Sequence, residues 1–216
     1  MSIVELRNVA KRYGRKSVID GFSHRFEPGL SLLVGPSGAG KSTLLRLIAT
    51  AEKPSAGDIL WDGAPLPGAR TALRRRLGYA PQAVDLPDEL SAREFAMHMA
   101  ALKGLELGAA DRQFAAITDA IGLHGDINNR ISTFSGGMRR RLIFAQAMLG
   151  QPRLLALDEP TAELDGETAE RVSALILDAA RSAVVVMTTH MADTLAPRAA
   201  AVIRIDGAGS GQAPSE

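Results

Sequence analysis

The run Gly35-Pro36-Ser37-Gly38-Ala39-Gly40-Lys41-Ser42 sets three glycines ahead of a lysine and a hydroxyl. The spacing G-x-x-x-x-G-K-[ST] suits an anion. Glycines let successive backbone N–H groups curl around an oxyanion, and the N-terminus of a following helix adds partial positive charge. Lys41 can reach the β and γ phosphates of a nucleotide, and the Ser42 hydroxyl can ligate Mg²⁺. A plain strand-to-helix turn would explain the glycines, but not a lysine followed by a hydroxyl.

A complementary piece is Leu154-Leu155-Ala156-Leu157-Asp158-Glu159-Pro160, an apolar run ending in two carboxylates. A carboxylate at the end of a buried parallel strand stands at the ligand-binding edge of a doubly wound sheet. There Asp158 would hold Mg²⁺ through water, and Glu159 would orient or deprotonate an attacking water, the chemistry of a hydrolase. A third stretch, Thr133-Phe134-Ser135-Gly136-Gly137-Met138-Arg139-Arg140-Arg141-Leu142, runs a Ser-Gly-Gly turn into three arginines. Positive charge in a first helical turn opposes the helix dipole, so an anion is expected nearby, cradled by Ser135 Oγ and the glycine N–H groups. Arg74-Arg75-Arg76 reads instead as a solvated helical face whose stems cover apolar surface.

The elements that must hold these residues follow from periodicity. Ile3–Leu6 and the alternating Phe22, His24 and Phe26 predict half-buried antiparallel strands. Leu30–Val34 is nearly all apolar, the mark of a strand covered on both faces, and Leu44, Leu45, Leu47 and Ile48 form a helical stripe after the glycine-rich turn. Asp58–Trp61 is a short strand closed by the turn signal Asp62-Gly63. Between about Asp85 and Leu149 the pattern is helical. Ser91 with Glu94 makes a capping box, and Gly104 is a stop. Phe114, Ile117 and Ile121 mark a second helix, and Met138, Leu142, Ala145 and Leu149 an amphipathic third. Leu154–Leu157 and Val184–Met187 are buried strands around a helix near Ala169–Ala180, and a last strand spans Ala201–Ile205. The expected architecture is an α/β P-loop NTPase core, mainly parallel sheet flanked by helices. It carries an N-terminal antiparallel β portion and a helical subdomain inserted at about 85–149. Residues 1–206 form one domain, and the Gly/Ser/Pro-rich 207–216 is a disordered tail.

The whole chain narrows the functions. Its 216 residues carry 25 basic and 24 acidic side chains, a balance that weighs against nucleic acid as a partner. The absence of cysteine excludes disulfides, thiol catalysis and cysteine metal sites. The start lacks a basic region followed by an apolar stretch, and apolar runs such as Ala183–Met187 are too short to cross a bilayer. A cytoplasmic protein is expected, reaching a membrane only through a partner.

With these motifs in order, the chain resembles an ATP-binding-cassette (ABC) ATPase subunit from Leu6 to about Ile205. The resemblance makes Gly35 to Ser42 the Walker A loop and Leu154 to Glu159 the Walker B strand. It implies ATP and Mg²⁺ as ligands. Gly35, Pro36, Ser37, Gly38, Ala39, Gly40, Lys41, Ser42 and Thr43 would surround the phosphates, and Tyr13 in "KRYG" would stack on adenine. Gln82 in "GYAPQ" stands at the Q-loop, contacting metal and attacking water, and His190 in "TTH" matches the switch histidine at the γ-phosphate. Ser42, Gln82 and Asp158 would serve the metal, and Glu159, His190, Gln82 and Lys41 the chemistry. Ser135, Gly136 and Gly137 stand at the signature motif, which in this family faces the ATP of a second cassette, and Asp165 in "TAELD" matches the D-loop.

Three positions depart from the family pattern, the first being Phe134 where the signature most often has leucine. Met138 removes the amide that usually ends the signature, as in bacterial drug and polymer exporters, and Glu163 replaces a frequent glycine. The resemblance implies a transport motor, peripheral on the inner face of the cell membrane. Its partners would be a separate transmembrane permease, engaged for export, and a second ATPase subunit, identical or different. A soluble ABC ATPase without a membrane partner is the alternative. A P-loop small-molecule kinase is disfavoured by Glu159 directly after Asp158 and by the second phosphate-type turn at Ser135.

Overall fold

The structure is a computed structural model, and it describes residues 2–66, 68–83, 85–189 and 192–207. Two sheets organise the chain. The first is antiparallel: β1 (Val4–Tyr13) turns at Gly14-Arg15 into β2 (Lys16–Phe26) and pairs on its other side with β4 (Ala56–Trp61), which carries the short β5 (Ala64–Pro65). The second is parallel throughout. It is built from β3 (Gly29–Val34), β6 (Leu77–Ala80), β7 (Leu154–Asp158), β8 (Val184–Thr188) and β9 (Ala201–Arg204) in the order β6-β7-β8-β3-β9.

The continuous apolar runs have a simple cause, since each face of the parallel sheet lies in a different core. Leu154 and Ala156 of β7 join a cluster with α1 (Lys41–Ile48) and the antiparallel sheet. Leu155 and Leu157 face a second cluster with α3 (Ala92–Lys103), α4 (Leu107–Ala120), α5 (Gly136–Ala147) and α6 (Gly166–Ala180). Every residue of β7 and β8 is buried as a result. Two short helices, α2 (Arg70–Arg75) and α7 (Ala192–Leu195), complete the set among the described residues.

The expected fold class and helix punctuation are observed. The Ser91 side chain accepts from the Glu94 N–H and the Glu94 carboxylate accepts from the Ser91 N–H at 2.8 Å, the reciprocal capping box. Gly104 closes α3 in the left-handed conformation at φ 72°.

Three expectations need correction. Leu77–Ala80 is a strand that periodicity did not mark, since four residues including a glycine carry little β signal. α5 is not amphipathic beyond its first turns: Leu142 to Ala147 are buried on every side, between α3, α4 and β6. Arg74 and its neighbours are exposed, but Arg74 is not simply solvated. Its guanidinium donates to Thr50 Oγ1 at 3.0 Å and Thr50 O at 3.2 Å, beside an Arg70 bond to the same carbonyl, tying α2 to the end of α1. The expected tail from residue 208 onward lies outside the described residues.

Candidate functional site

The glycine-rich loop links β3 to α1. Gly35 leaves β3 at φ 138°, where an added Cβ would fall 2.0 Å from the Ile205 carbonyl oxygen, so only glycine fits. Lys41 opens α1, and its Nζ donates to the carbonyls of Gly35 at 2.8 Å and Pro36 at 2.9 Å, holding the loop in a closed ring. No side chain caps α1, so an anion can take up the N–H groups of its first turn.

Opposite this loop, β7 ends on Asp158 and Glu159. Asp158 is buried, and its Oδ1 accepts from the Thr188 hydroxyl at 2.6 Å. The same hydroxyl oxygen accepts the Glu159 N–H at 2.9 Å. One threonine at the end of β8, paired in register with Asp158, therefore holds both acidic residues. Glu159 sits at φ 51°, a left-handed conformation that costs a non-glycine residue about 1 kcal/mol or more and is concentrated at functional sites. Gln82 follows β6 and donates its side-chain amide to Glu159 Oε2 at 3.3 Å. The unforeseen strand is thus what delivers Gln82 to the carboxylates.

These pieces surround one cleft of about 450 Å³, lined by Tyr13, Lys16, Val18, Ser37, Gly38, Gly40, Lys41, Ser42, Thr43, Arg46, Gln82 and Glu159. Most of the expected residues meet there. Gly35, Pro36 and Ala39 shape the loop without lining the cleft, and Asp158 is buried beside Glu159. His190 lies outside the described residues. Lys16, Val18, Arg46 and Thr188 were not anticipated. Thr188 alone left a trace in the sequence, as a hydroxyl closing an apolar run that pairs with the run ending in Asp158.

Ser135, Gly136 and Gly137 do not line this cleft. They start α5 at the surface, where Ser135 is the N-cap and its Oγ accepts from the Met138 N–H at 3.3 Å. The three arginines after them already have partners within the chain, which corrects the expectation that they await an anion. Arg139 pairs with Asp88 at 2.6 Å. Arg140 donates to Ala162 O at 3.0 Å and meets Glu163 at 3.3 Å, and Arg141 donates to Gly122 O at 2.9 Å. They brace α5 against its surroundings.

Comparison with known proteins places this arrangement. The family model described as "ABC transporter" matches residues 20–162. The chain belongs to the ABC transporter family. The cassette is 34% identical over 195 residues to a Nod factor export ATP-binding protein I of Rhizobium etli, covering 88% of this chain and 61% of that protein. It is 35% identical over 192 residues to the protein of the same name from Burkholderia pseudomallei, covering 87% and 62%. The chain thus spans about three fifths of the length of these curated relatives. Among solved structures, the ATP-binding subunit of an ABC transporter superposes with a TM-score of 0.86 at 23% identity, covering 94% of this chain and 86% of that one. A dimeric bacterial ABC transporter cassette superposes at 0.84 with 25% identity and 94% coverage of both chains. The same kind of cassette in a dimeric post-hydrolysis state with ADP and Pi gives 0.83 at 25%, again covering 94% of both. Among the described residues of this cassette, no helix is long and apolar enough to cross a membrane.

One departure from the ABC pattern now has a physical account. Glu163 adopts φ 61°, the left-handed conformation that explains a frequent glycine there. Its carboxylate meets Arg140, while Oε2 lies 3.8 Å from where a Cβ on Gly136 would stand. Asp165 is the N-cap of α6, and the Thr168 N–H and hydroxyl hold its carboxyl below the usual range. Nothing in the structure explains Met138.

Proposed function

We propose that the cassette is the ATP-hydrolysing subunit of a transporter, binding ATP with Mg²⁺ in the cleft and completing each site with the signature turn of a second cassette. The observation that carries this reading is a separation. Tyr13, the Walker A loop, Gln82 and Glu159 share one cleft, whereas Ser135-Gly136-Gly137 stands apart from it at the surface start of α5. A two-fold pairing would use the same surfaces twice and complete two sites at once. A second copy of this chain is the simplest partner. A separate membrane subunit for export, with the cassette peripheral on the cytoplasmic face, is supported by the exporter names of the relatives. Residues 1–206 would act as one ATPase domain.

The donors suit the proposed ligands. Ser42, Gln82 and Asp158 offer only oxygen atoms to a metal, the hard set that Mg²⁺ prefers. When bound, Mg²⁺ would neutralise charge on the β and γ phosphates. Lys41 would exchange its two loop carbonyls for phosphate oxygens, its ammonium being already aimed into the loop. Tyr13 would stack on the base. Glu159, held by Thr188 and Gln82, would orient the attacking water and accept its proton, and His190 would contact the γ-phosphate.

Phosphate release tests the catalytic assignment. Glu159→Gln should retain ATP binding and lose turnover by roughly 100-fold or more. Wild-type turnover in that variant would sink the role given to Glu159.

A further inference from the structure

Tyr13 ends β1 as an exposed residue (44%) lining the cleft, yet its hydroxyl is not free. It donates to Glu52 Oε2 at 2.5 Å, across 39 residues of sequence. Glu52 lies just beyond α1 and collects two cations as well: Lys11 Nζ reaches the same oxygen at 2.9 Å, and Arg46 Nε approaches Oε1 at 2.7 Å. Burial works against the Glu52 charge, but the Tyr13 hydroxyl, Lys11 and Arg46 outweigh it and hold the carboxyl below its usual range. Lys11 Nζ also stands 5.0 Å from the centre of the Tyr13 ring, so one face of the ring is turned to a cation. A base can stack only on the other.

The cluster is anchored on both sides. Lys11 donates to Lys53 O at 2.9 Å, and Arg46 donates to Thr43 Oγ1 at 3.0 Å in the helix that begins with Lys41. The Glu52 N–H bonds the Arg46 carbonyl at 3.2 Å, fixing the carboxylate's own backbone. An exposed tyrosine at a strand end ordinarily samples several rotamers, and a ligand that stacks on it must bear the cost of ordering it. Here the ring is ordered beforehand.

We propose that Glu52 is a positioning residue for the nucleotide base, holding the Tyr13 ring with Lys11 over one face so that the opposite face is preset for a purine. This rests on the reading of Tyr13 as the base-stacking residue. The proposed action of Glu52 is on the base, through Tyr13; the route by which it could instead reach the phosphate side is Arg46, which lines the cleft and bonds Thr43.

The test compares two ligands by calorimetry: ATP, and inorganic tripolyphosphate, which has the same phosphate chain and no base. Glu52→Ala and Tyr13→Phe each break the hydroxyl–carboxylate bond, the second while leaving the Lys11 and Arg46 ion pairs with Glu52 in place. Each should weaken ATP by about five- to tenfold and leave tripolyphosphate within about twofold. Glu52→Gln keeps an acceptor for the hydroxyl and should recover most of the ATP affinity. The double variant Tyr13→Phe/Glu52→Ala should be no weaker than either single one. Equal weakening of both ligands by Glu52→Ala would overturn the proposal in favour of a structural role through α1, and so would unchanged ATP affinity in Tyr13→Phe. Tyr13→Ala separates the two layers. If it leaves ATP affinity unchanged, the stacking reading itself fails. If it weakens ATP while Tyr13→Phe and Glu52→Ala do not, stacking stands and the positioning role of Glu52 fails.

Discussion

The Thr188 hydroxyl is used twice, donating to Asp158 and accepting from the Glu159 backbone, and this double use sets the geometry of the carboxylate pair. Thr188→Val keeps the shape and removes both bonds. It should lower kcat by roughly ten- to hundredfold through loss of alignment, with ATP affinity changed by less than about threefold. Stopped-flow phosphate release beside equilibrium ATP binding checks this, and an unchanged kcat would show that Glu159 is held by other means. Glu163 gives the opposite expectation. Its carboxylate is exposed, so its ion pair with the half-buried Arg140 contributes little, while its left-handed backbone favours glycine, so the two effects offset. Glu163→Gly should shift stability by no more than about 0.5 kcal/mol in urea unfolding, and a loss beyond about 2 kcal/mol would mean the Arg140 pair anchors this loop. At this scale, the residues whose chemistry is peculiar to them were legible in the sequence: Lys41 after glycines, and Asp158-Glu159 after an apolar run. Thr188, Arg46 and Glu52 were not, because a threonine, an arginine and a glutamate acquire meaning only from neighbours 30, 6 and 39 residues away.

Between elements, the decisive contact is that of β6 with α5. The short strand passes so close to the helix that a Cβ on Gly78 would stand 2.1 Å from Ala147 O and 2.5 Å from Leu155 Cδ2. Gly78→Ala should therefore destabilise by roughly 2 kcal/mol or more and displace Gln82, which a chemical denaturation curve and ATP turnover would both report. Intact stability would mean that β6 sits farther from α5. The same C-terminal end of α5 is closed by Lys103, whose ammonium donates to Leu149 O at 3.1 Å. Burial pulls its pKa down from 10.5 to about 8. Above about 8 the folded chain then binds fewer protons than the unfolded chain, so stability from this site rises with pH up to about 10.5. Measured against Lys103→Met, the wild type should gain relative stability across that window, and a flat difference would place the ammonium in better contact with solvent. Strands such as β7 and helices such as α3 were legible because a covered strand and a capped helix write their own patterns. β6 and the all-round burial of α5 were not, since four mixed residues and an arginine-rich start give no hint of what packs over them.

At the scale of the whole molecule, the two proposed halves of the ATP site lie on different parts of the surface: the glycine-rich loop with its acidic residues, and a serine-capped helix start at which Ser135 and Gly136 are exposed. The order of motifs was legible in the sequence, and the resemblance implied that the signature turn stands apart from the phosphate loop. Where on the surface each lies was not legible, because it depends on how α3, α4 and α5 pack against the parallel sheet. In the proposed pairing of two cassettes, both halves would contact the phosphates of one ATP. Closure should therefore depend on the γ-phosphate and persist when hydrolysis is blocked. Multi-angle light scattering of Glu159→Gln tests this most directly. The proposed pairing requires a doubling of mass on adding ATP and Mg²⁺, no change with ADP, and loss of the ATP effect when Ser135→Arg is combined with Glu159→Gln. A Glu159→Gln cassette that remains a monomer with ATP bound would contradict it.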